Sequence, residues 1–416
     1  MAPVDPRRIE DLNGLPPEPG GRFVLYWMQA AQRAAHNPAL EHAVALSDGL
    51  GQGVVVGFGL MDDYPEANLR HYAFMLEGLR EVAATLADRG IRFALRRGPP
   101  PDVALGLARG ASVVVCDVGY TRYQRAWRGR VAAEAGRQVV AVEGEVVVPV
   151  GLASPKAEIG ARTLRPRILR LRDEFLRPLD EARPRVSTLA LEVEGDLDPA
   201  DVEGRLGALR LNRSVPRSAR FGGGTAAARA RLGRFLANLK GYAGARSDPA
   251  SQHSSQLSPY FQFGQISPVE VALAARAAAP EGDPDRASFL EELVVRRELA
   301  HNFLHYTEGY DSLDCVPSWA RATLDKHKRD PRAHVYDEAE LEAGRTHDRY
   351  FNAAMREMRL TGYMHNYMRM YWGKKIIEYS ASPEAAYAAT LRLNNRHFLC
   401  GRGANAFANV AWVFGL

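Results

Sequence analysis

Short apolar runs alternate with longer stretches of helical period between residues 20 and 150. The runs are four or five residues long and rich in β-branched side chains. They are Phe23–Trp27, Val54–Phe58, Ile91–Leu95, Val113–Cys116 and Val139–Val142. Continuous apolar runs separated by helices are typical of parallel strands that are buried on both faces. The pattern therefore predicts a doubly wound parallel α/β sheet, which offers a ligand site at the carboxyl ends of its strands.

Two further patterns follow along the chain. Residues 151–240 carry repeated prolines and the run Phe221–Gly224, which predicts a long inter-domain linker with a few short helices. Beyond residue 241 almost every segment has helical character, with Asp285 expected to cap one helix and a longer helix expected over 348–379. We therefore predict an α/β domain over 20–150, the linker, and an all-α domain over 241–416.

Composition narrows the class of protein. A chain of 416 residues that is 46% hydrophobic and 25% charged can bury a large core, and its length favours two domains. No apolar run approaches the roughly 18–20 residues that span a bilayer, and the N-terminus lacks the apolar centre of a signal peptide. We expect a cytoplasmic protein without a membrane partner. In the absence of a heptad pattern, we expect a monomer.

The cysteines and arginines add little to the predicted class of protein. The three cysteines Cys116, Cys315 and Cys400 show no C-x-x-C spacing, so neither a disulfide framework nor a structural zinc site is expected. The formal net charge is +5, and six arginines against two acids lie between Arg162 and Arg177. This segment suits contact with phosphate groups and equally suits a solvated basic helix face.

Several familiar catalytic motifs are missing. The glycines of Gly49–Gly53 precede an apolar run instead of following one, which excludes the dinucleotide fingerprint there. His301 and His305 have i,i+4 spacing, but Asn302 occupies the position at which a zinc protease needs glutamate. The sequence contains no G-x-S-x-G motif and no P-loop. Hydrolase and nucleotide triphosphatase chemistry are therefore poorly supported.

Two segments carry residues that suit ligand chemistry. In the first, Ser258 before Pro259 predicts a helix start, where hydroxyl and backbone N–H groups can bind phosphate oxygens. A plain Ser-Pro cap is the alternative. In the second, helical spacing aligns His365, Arg369 and Trp372 with an apolar position on one face, an arrangement found in binding sites and also in ordinary cores.

Four segments, taken in order, resemble class II cyclobutane pyrimidine dimer photolyases of the photolyase–cryptochrome superfamily. They are Tyr26–Asn37, Leu257–Ser267, Glu291–Phe303 and Gly362–Glu378. The resemblance implies an α/β antenna domain joined by a long linker to a helical domain that holds FAD, which is the architecture that the patterns predict independently. It also implies a lyase that repairs UV-damaged DNA. The resemblance further implies that light drives one electron from reduced FAD into a pyrimidine dimer that is flipped out of the duplex.

The resemblance also assigns roles to individual residues. Contacts with FAD are implied for Tyr242, Ser254, Ser255, Gln256, Leu257, Ser258, Glu292, Arg296, Arg369, Asn394 and Cys400. Catalytic and lesion-side roles are implied for Glu292, Asn394, Met370 and Trp412. Glu292 is expected to hydrogen-bond the pyrimidine pair, as a donor if burial raises its pKa, with Arg296 within i,i+4 reach. Asn394 is expected beside the flavin N5, where it disfavours protonation, and Trp412 is expected to stack on the lesion.

The chain departs from the family pattern at three places. Cys400 stands where class II proteins have an aspartate, so we expect Arg369 to lack a carboxylate partner. Of the three tryptophans that carry electrons to the flavin in the family, this chain keeps Trp372, with Phe351 and Tyr379 at the other positions. The chain ends at Leu416, where family members continue, so we expect a shortened C-terminus with a weaker grip on DNA.

These departures favour a second hypothesis. A flavin-binding light sensor that does not repair DNA would have no need of the aspartate or of the complete tryptophan path. The sequence also leaves open whether a second antenna chromophore is present, and whether it is a deazaflavin or another flavin.

Overall fold

The computed structural model describes residues 4–193, 197–251 and 253–416. Each of the five predicted runs forms a strand, and a sixth strand near the N-terminus was not predicted. The strands in these ranges are β1 Ile9–Asp11, β2 Phe23–Trp27, β3 Gly53–Leu60, β4 Arg92–Arg97, β5 Ala111–Asp117 and β6 Gln138–Val142. Strand β1 has three residues, two of them acidic, and so lacks the apolar run on which the prediction depended.

The strands form one sheet in the order β1-β6-β5-β2-β3-β4. Strands β2 to β6 are parallel, while β1 pairs with β6 in the antiparallel direction and places Ile9 opposite Val142. Strands β2 and β5 are neighbours although two other strands separate them in sequence, which is the crossover that a doubly wound sheet requires. The predicted fold of this part is confirmed.

Helices cover both faces of the sheet. Alternate residues of β2 face opposite sides, with Val24 packing beneath α1 and α2, and Leu25 packing beneath α3 and α4. The four helices are α1 Pro38–Gly49, α2 Leu69–Asp88, α3 Pro100–Ala108 and α4 Arg122–Glu134. Because both faces are covered, the central strands are apolar at nearly every position.

The remainder of the described chain is predominantly helical, as predicted. Its helices are α5 Val150–Ala153, α6 Ala161–Phe175, α7 Val202–Ala208, α8 Thr225–Ala237, α9 Tyr242–Ala245, α10 Ser258–Gln262, α11 Pro268–Ala278, α12 Pro284–Leu290, α13 Arg297–Tyr306, α14 Ser318–His327, α15 Glu338–Ala343, α16 Arg349–Thr361, α17 Asn366–Tyr379, α18 Pro383–His397 and α19 Ala404–Val413. None of the helices in the described ranges is both long and apolar enough to cross a membrane.

Two helix predictions are corrected by the structure. The cap of α12 is Asp283, which accepts the backbone N–H of Arg286, whereas Asp285 accepts backbone N–H groups at the start of α9. The long helix over 348–379 is two helices, because α16 ends at Gly362 with a left-handed φ of 75°. A Cβ atom at Gly362 would also lie 3.0 Å from Leu399, so the chain turns sharply where only glycine fits.

The stretch predicted as a linker is more ordered than expected. Helices α6 and α8 have 15 and 13 residues, and Ile168 and Leu232 lie in the same apolar core as Leu257 and Phe289. Helices α6 and α8 therefore pack against the helices that follow them, whereas Val202 and Leu206 of α7 lie in the apolar core between the sheet and helices α1 and α2. Residues 194–196 lie outside the described residues. The limits of the domains stay a prediction.

Buried charges join the sheet to the helices that follow it. Glu298 on α13 accepts the backbone N–H groups of Val147 and Val148, and burial raises the pKa of Glu298 to about 8. Arg33 donates to Glu145 over 2.6 Å between Nη1 and Oε1, with both side chains almost fully buried. Glu298 thus holds α13 against the segment that follows β6, and Arg33 ties the segment after β2 to it at the carboxyl end of the sheet, where a cleft opens.

Candidate functional site

A π-helical turn, Glu291–Arg296, separates α12 from α13. In such a turn the backbone bonds run from residue i to residue i+5, and the motif is frequent at functional sites. Residues five apart therefore share a face, and the Arg296 Nε atom lies 3.5 Å from Glu291 Oε1. In the structure Arg296 therefore pairs with Glu291, five positions away, while its placement within i,i+4 reach of Glu292 stays a prediction.

Glu292 forms its ion pair with a different arginine. Its Oε1 atom lies 3.2 Å from Nη1 of Arg246, and about a third of each side chain is exposed, at 32% and 33%. Burial, followed by the negative charge of Glu292, raises the pKa of the neighbouring Tyr242 to about 12. Glu292 is thus a partly exposed carboxyl group that is paired with an arginine.

The segment Ser254–Ser258 presents polar groups beside aromatic ones. The Ser254 hydroxyl lies 3.0 Å from the hydroxyl of Tyr363, and Gln256 adopts a left-handed φ of 54°. Leu257 is fully buried, Ser255 is half-buried, and α10 begins at the exposed Ser258, as predicted. Next to this segment, the Nδ1 atom of His253 is buried without a partner among the described residues. Hydroxyl groups and an unpaired imidazole nitrogen suit a polar ligand.

Arg369 on α17 lies against Cys400. Its Nη1 atom is 3.1 Å from the Cys400 sulfur, and its Nε donates to the carbonyl of Met364 over 2.9 Å. The guanidinium also lies 4.0 Å from the ring centroid of Phe398. Among the described residues no carboxylate forms an ion pair with Arg369. Its positive charge therefore lacks a fixed counter-ion.

Asn394 on α18 is buried, and its Nδ2 donates over 3.0 Å to Oδ1 of Asn395. Asn395 is fully buried and bonds further to Glu66 and to the backbone of Arg402. Sequence analysis did not identify these three residues. The only feature of the sequence that could have indicated them is the adjacent pair Asn394 and Asn395, because Glu66 lies 329 positions from Asn395 in the chain.

The aromatic residues Trp372, Phe351 and Tyr379 belong to one hydrophobic core cluster behind this region. Trp372 is buried, with its Nε1 atom 2.8 Å from the sulfur of Met355. The rings of Phe351 and Tyr379 are 5.9 Å apart, and the Tyr379 hydroxyl donates over 3.1 Å to Asp348. The three positions that correspond to the expected electron path are thus all in the interior, and the phenol of Tyr379 is paired with a carboxylate.

The two remaining site residues lie towards the surface. Met370 is half-buried on α17, and Trp412 on α19 is 50% exposed. The indole ring of Trp412 forms no hydrogen bond or ring contact with any other residue that the structure describes. An exposed indole of this kind is free to stack on a flat ligand.

The His301 and His305 pair is not a metal site in the described part of the chain, where no group of three ligating side chains is suitably placed. His301 is buried with its Nδ1 atom 2.9 Å from the carbonyl of Arg297, and its ring packs edge-on against Tyr120. Burial lowers the pKa of His301 to about 3, so it stays neutral. The pair is part of the core edge.

A large cleft cavity opens at the carboxyl ends of the strands, where the doubly wound sheet predicts a ligand site. It encloses about 1070 Å³, including its open mouth. Its walls carry several aromatic and apolar side chains: Met61, Tyr64, Tyr72, Trp127, Phe261 and Phe263. Asp117 shapes one wall by accepting the backbone N–H groups of Gln29, Ala30 and Ala31.

The cleft cavity also holds polar atoms without partners among the described residues. They are Gln29 Nε2, Gln32 Oε1, Arg297 Nε and Arg402 Nε, all of them buried. Buried polar atoms are normally hydrogen-bonded, so unpaired ones around an open cavity indicate a place for a ligand or ordered water. Sequence analysis predicted the edge of the sheet and missed these residues.

A covered parallel sheet joined to a helical half in this way is the photolyase–cryptochrome fold. An archaeal photolyase from Sulfolobus tokodaii with two FAD molecules matches 94% of this chain and 83% of its own, with a TM-score of 0.73 and 16% identity. A cryptochrome from Synechocystis matches 95% of this chain and 83% of its own, with a TM-score of 0.76 and 16% identity. At these identities the likeness establishes the fold.

Sequence similarity identifies the family. The DNA photolyase family model matches residues 24–185. A deoxyribodipyrimidine photo-lyase from Methanothermobacter thermautotrophicus is 43% identical over 414 residues, which cover 99% of this chain and 90% of the relative. The chain belongs to the deoxyribodipyrimidine photo-lyase family, and the resemblance to this superfamily is confirmed.

Proposed function

We propose that this protein is a class II photolyase that uses FAD and blue light to split cyclobutane pyrimidine dimers in UV-damaged DNA. The observation that carries the proposal is the 43% identity with a deoxyribodipyrimidine photo-lyase over nearly the whole chain. This similarity covers 99% of the chain, so it includes both the α/β part and the helical part that carries the candidate site residues. A match to one half of the chain alone would support a shared fold without a shared activity.

The residues around Ser254–Ser258 suit FAD. The hydroxyls of Ser254, Ser255 and Ser258 and the unpaired Nδ1 atom of His253 offer hydrogen bonds to phosphate and ribose oxygens. Arg369 supplies a positive charge near the ring system, where a reduced, anionic flavin would be favoured. Bound reduced FAD, once excited by light, supplies the electron for dimer cleavage.

The lesion side of the site would be formed by Glu292, Met370 and Trp412. A dimer pairs poorly with the opposite strand, so it leaves the duplex at a lower energetic cost than a normal base. Its rings would stack on the exposed indole of Trp412, and the pair of Glu292 and Arg246 would hydrogen-bond its polar edge. These residues orient the lesion and exclude water from it.

A second function, a light sensor that does not repair DNA, is favoured by two specific observations. Arg369 contacts a cysteine sulfur instead of a carboxylate, and Phe351 interrupts the tryptophan path. A changed counter-ion alters the potential of a neighbouring flavin, and phenylalanine is hard to oxidise. A sensor would bind flavin and respond to light without any preference for damaged DNA.

The test is repair in a defined substrate. FAD-loaded, chemically reduced protein is illuminated with an oligonucleotide that contains one thymine dimer, beside a dark control. We expect light-dependent loss of the dimer and tighter binding of the damaged than of the undamaged oligonucleotide. A flavin-bound protein that leaves the dimer intact and binds both oligonucleotides equally would support the sensor instead.

We also propose that the cleft cavity holds a second, light-harvesting chromophore of the flavin or deazaflavin type. Aromatic walls suit a flat ring system, and the unpaired amide groups of Gln29 and Gln32 suit the polar edge of its pyrimidine ring. The photolyase from Sulfolobus tokodaii, whose second FAD is described as a light-harvesting cofactor, offers a parallel.

Filling the cleft cavity should remove this chromophore and leave FAD in place. Ala67 lies on its wall, and Ala67→Trp should lower the bound second chromophore from about one per protein to below about 0.1, because an indole occupies the space of the ring. The measurement is the absorption spectrum after reconstitution with a deazaflavin or with FAD. The control is Ala84→Trp at an exposed position of α2. Equal loading of the two variants would contradict the assignment.

A further inference from the structure

The amide of Asn395 has only one orientation that satisfies its neighbours. The backbone N–H of Arg402 lies 2.9 Å from its Oδ1 atom, and a backbone N–H can only donate. The oxygen of Asn395 must therefore face Arg402, which turns its Nδ2 atom towards the carboxylate of Glu66, where the structure shows a hydrogen bond. The backbone N–H of Arg402 therefore fixes which end of the Asn395 amide is oxygen and which is nitrogen, an assignment that is otherwise ambiguous for an amide.

This orientation fixes the next amide in turn. The same Oδ1 atom of Asn395 also accepts from Asn394, so the group that Asn394 turns towards it must be Nδ2, at 3.0 Å. The Oδ1 atom of Asn394 is then the end that points away from Asn395, and no described residue donates to it. An amide oxygen accepts from a protonated ring nitrogen, whereas an amide N–H donates to an unprotonated one. The orientation of the Asn394 amide therefore decides whether it favours a protonated or an unprotonated ring nitrogen.

The residues that hold Asn395 are themselves in unusual conformations. Glu66 and Arg402 have φ values of 60° and 65°, and they are two of only four non-glycine residues with positive φ among the described residues. Such conformations are disfavoured for these side chains, and they concentrate where surrounding contacts impose them for a functional purpose. Gly401 completes the arrangement, because a Cβ atom there would lie 2.8 Å from the carbonyl oxygen of Asn394.

We infer that Asn395, held by Glu66 and Arg402, is a positioning residue that locks the Asn394 amide with its oxygen towards the flavin. The inference rests on the proposed function and on the position beside the flavin N5 that the resemblance implies for Asn394. A reduced flavin carries hydrogen on N5, so the locked oxygen stabilises the reduced form. This orientation favours the opposite role from the one that the resemblance implies for Asn394.

The test is a redox titration of the bound flavin in the full-length, FAD-loaded protein. Asn395→Leu removes the lock, so the ratio of reduced to oxidised flavin at a fixed potential should fall by about 2- to 10-fold, the equivalent of one hydrogen bond. Asn395→Asp combined with Glu66→Gln exchanges donor and acceptor at constant net charge and keeps the acceptor for Asn394. This double variant should return the ratio to that of the unmodified protein. Asp63→Asn, a change at an exposed carboxylate of the same loop, is the control.

A further pair of variants keeps the outcome decisive. If Asn395→Leu does not fold, Asn395→Ser replaces it, because its shorter, polar side chain does not reach Asn394. Asn394→Leu reports on the proposed function itself. A shift in Asn394→Leu with none in the Asn395 variants would overturn the inference and leave the proposed function standing. If neither the Asn394 nor the Asn395 variants change the ratio of reduced to oxidised flavin, Asn394 does not contact the flavin, and the inference is overturned as well.

Discussion

Glu292→Ala is expected to lower light-driven dimer repair by about 100-fold, the usual effect of removing a group that stabilises developing charge in an active site. The carboxylate is accessible, and it is the described partner of the Arg246 guanidinium, so its loss removes one hydrogen-bonding group and releases a second. Glu292→Gln keeps the size of the side chain and part of its hydrogen bonding. Its repair rate should therefore lie between those of the unmodified protein and of Glu292→Ala. The measurement is dimers split per absorbed photon, recorded separately from the affinity for damaged DNA.

The neighbouring glutamate gives a matched control for this prediction. Glu291 lies in the same π-helical turn and pairs with Arg165 and Arg296 on a different face. Because exposed ion pairs contribute about 0–1 kcal/mol, Glu291→Ala should change repair by no more than a few-fold. Similar losses in both alanine variants would show that the turn as a whole is sensitive and would contradict the specific role of Glu292.

Arg70→Met is expected to destabilise the protein by about 3–5 kcal/mol, because several buried carbonyls lose their donor at a cost of about 1 kcal/mol or more each. The Arg70 side chain is almost completely buried, and burial lowers its pKa to about 10. Its guanidinium donates to four backbone carbonyls, three of them at the ends of α16 and α18, where helices leave acceptors unpaired. These are the carbonyls of Pro216 at 3.0 Å, Met358 at 3.1 Å, His397 at 2.7 Å and Arg359.

Methionine would fill most of the space of Arg70 and satisfy none of these carbonyls, which makes unpaired acceptors the main cause of the loss. Chemical denaturation followed by circular dichroism measures the effect. Arg80→Met, at an exposed position of the same helix, changes the charge equally and should leave the unfolding midpoint nearly unchanged. Equal midpoints for the two variants would show that Arg70 does not support the junction of α2, α16 and α18.

The parts of the fold that were predicted depend on periodicity. The five parallel strands were found because burial on both faces leaves continuous β-branched runs, which few other structures produce. The cap of α12 was misassigned because Asp283 and Asp285 both flank Pro284, and sequence alone does not reveal which carboxylate faces the helix. The break at Gly362 was missed because a single glycine is also tolerated inside helices.

The candidate site was predicted only as far as its residues lie in recognisable segments. Ser254–Ser258 and Glu292 were identified from their motifs, but the pairing of Arg296 with Glu291 depends on a π-helical turn that leaves no mark in the sequence. Asn395 and its partners were missed because tertiary contact brings Glu66 and Arg402 together, and neither residue is of a type that predicts a left-handed conformation.

The central claim is that this protein repairs dimers with light, and one measurement tests it most directly. Chemically reduced, FAD-loaded protein and a dimer-containing oligonucleotide are illuminated with blue light in one cuvette, while the flavin spectrum and the restored thymines are recorded together. The account predicts that thymines reappear over many turnovers while the flavin stays reduced. A stable reduced flavin with no restored thymine in that cuvette would contradict it.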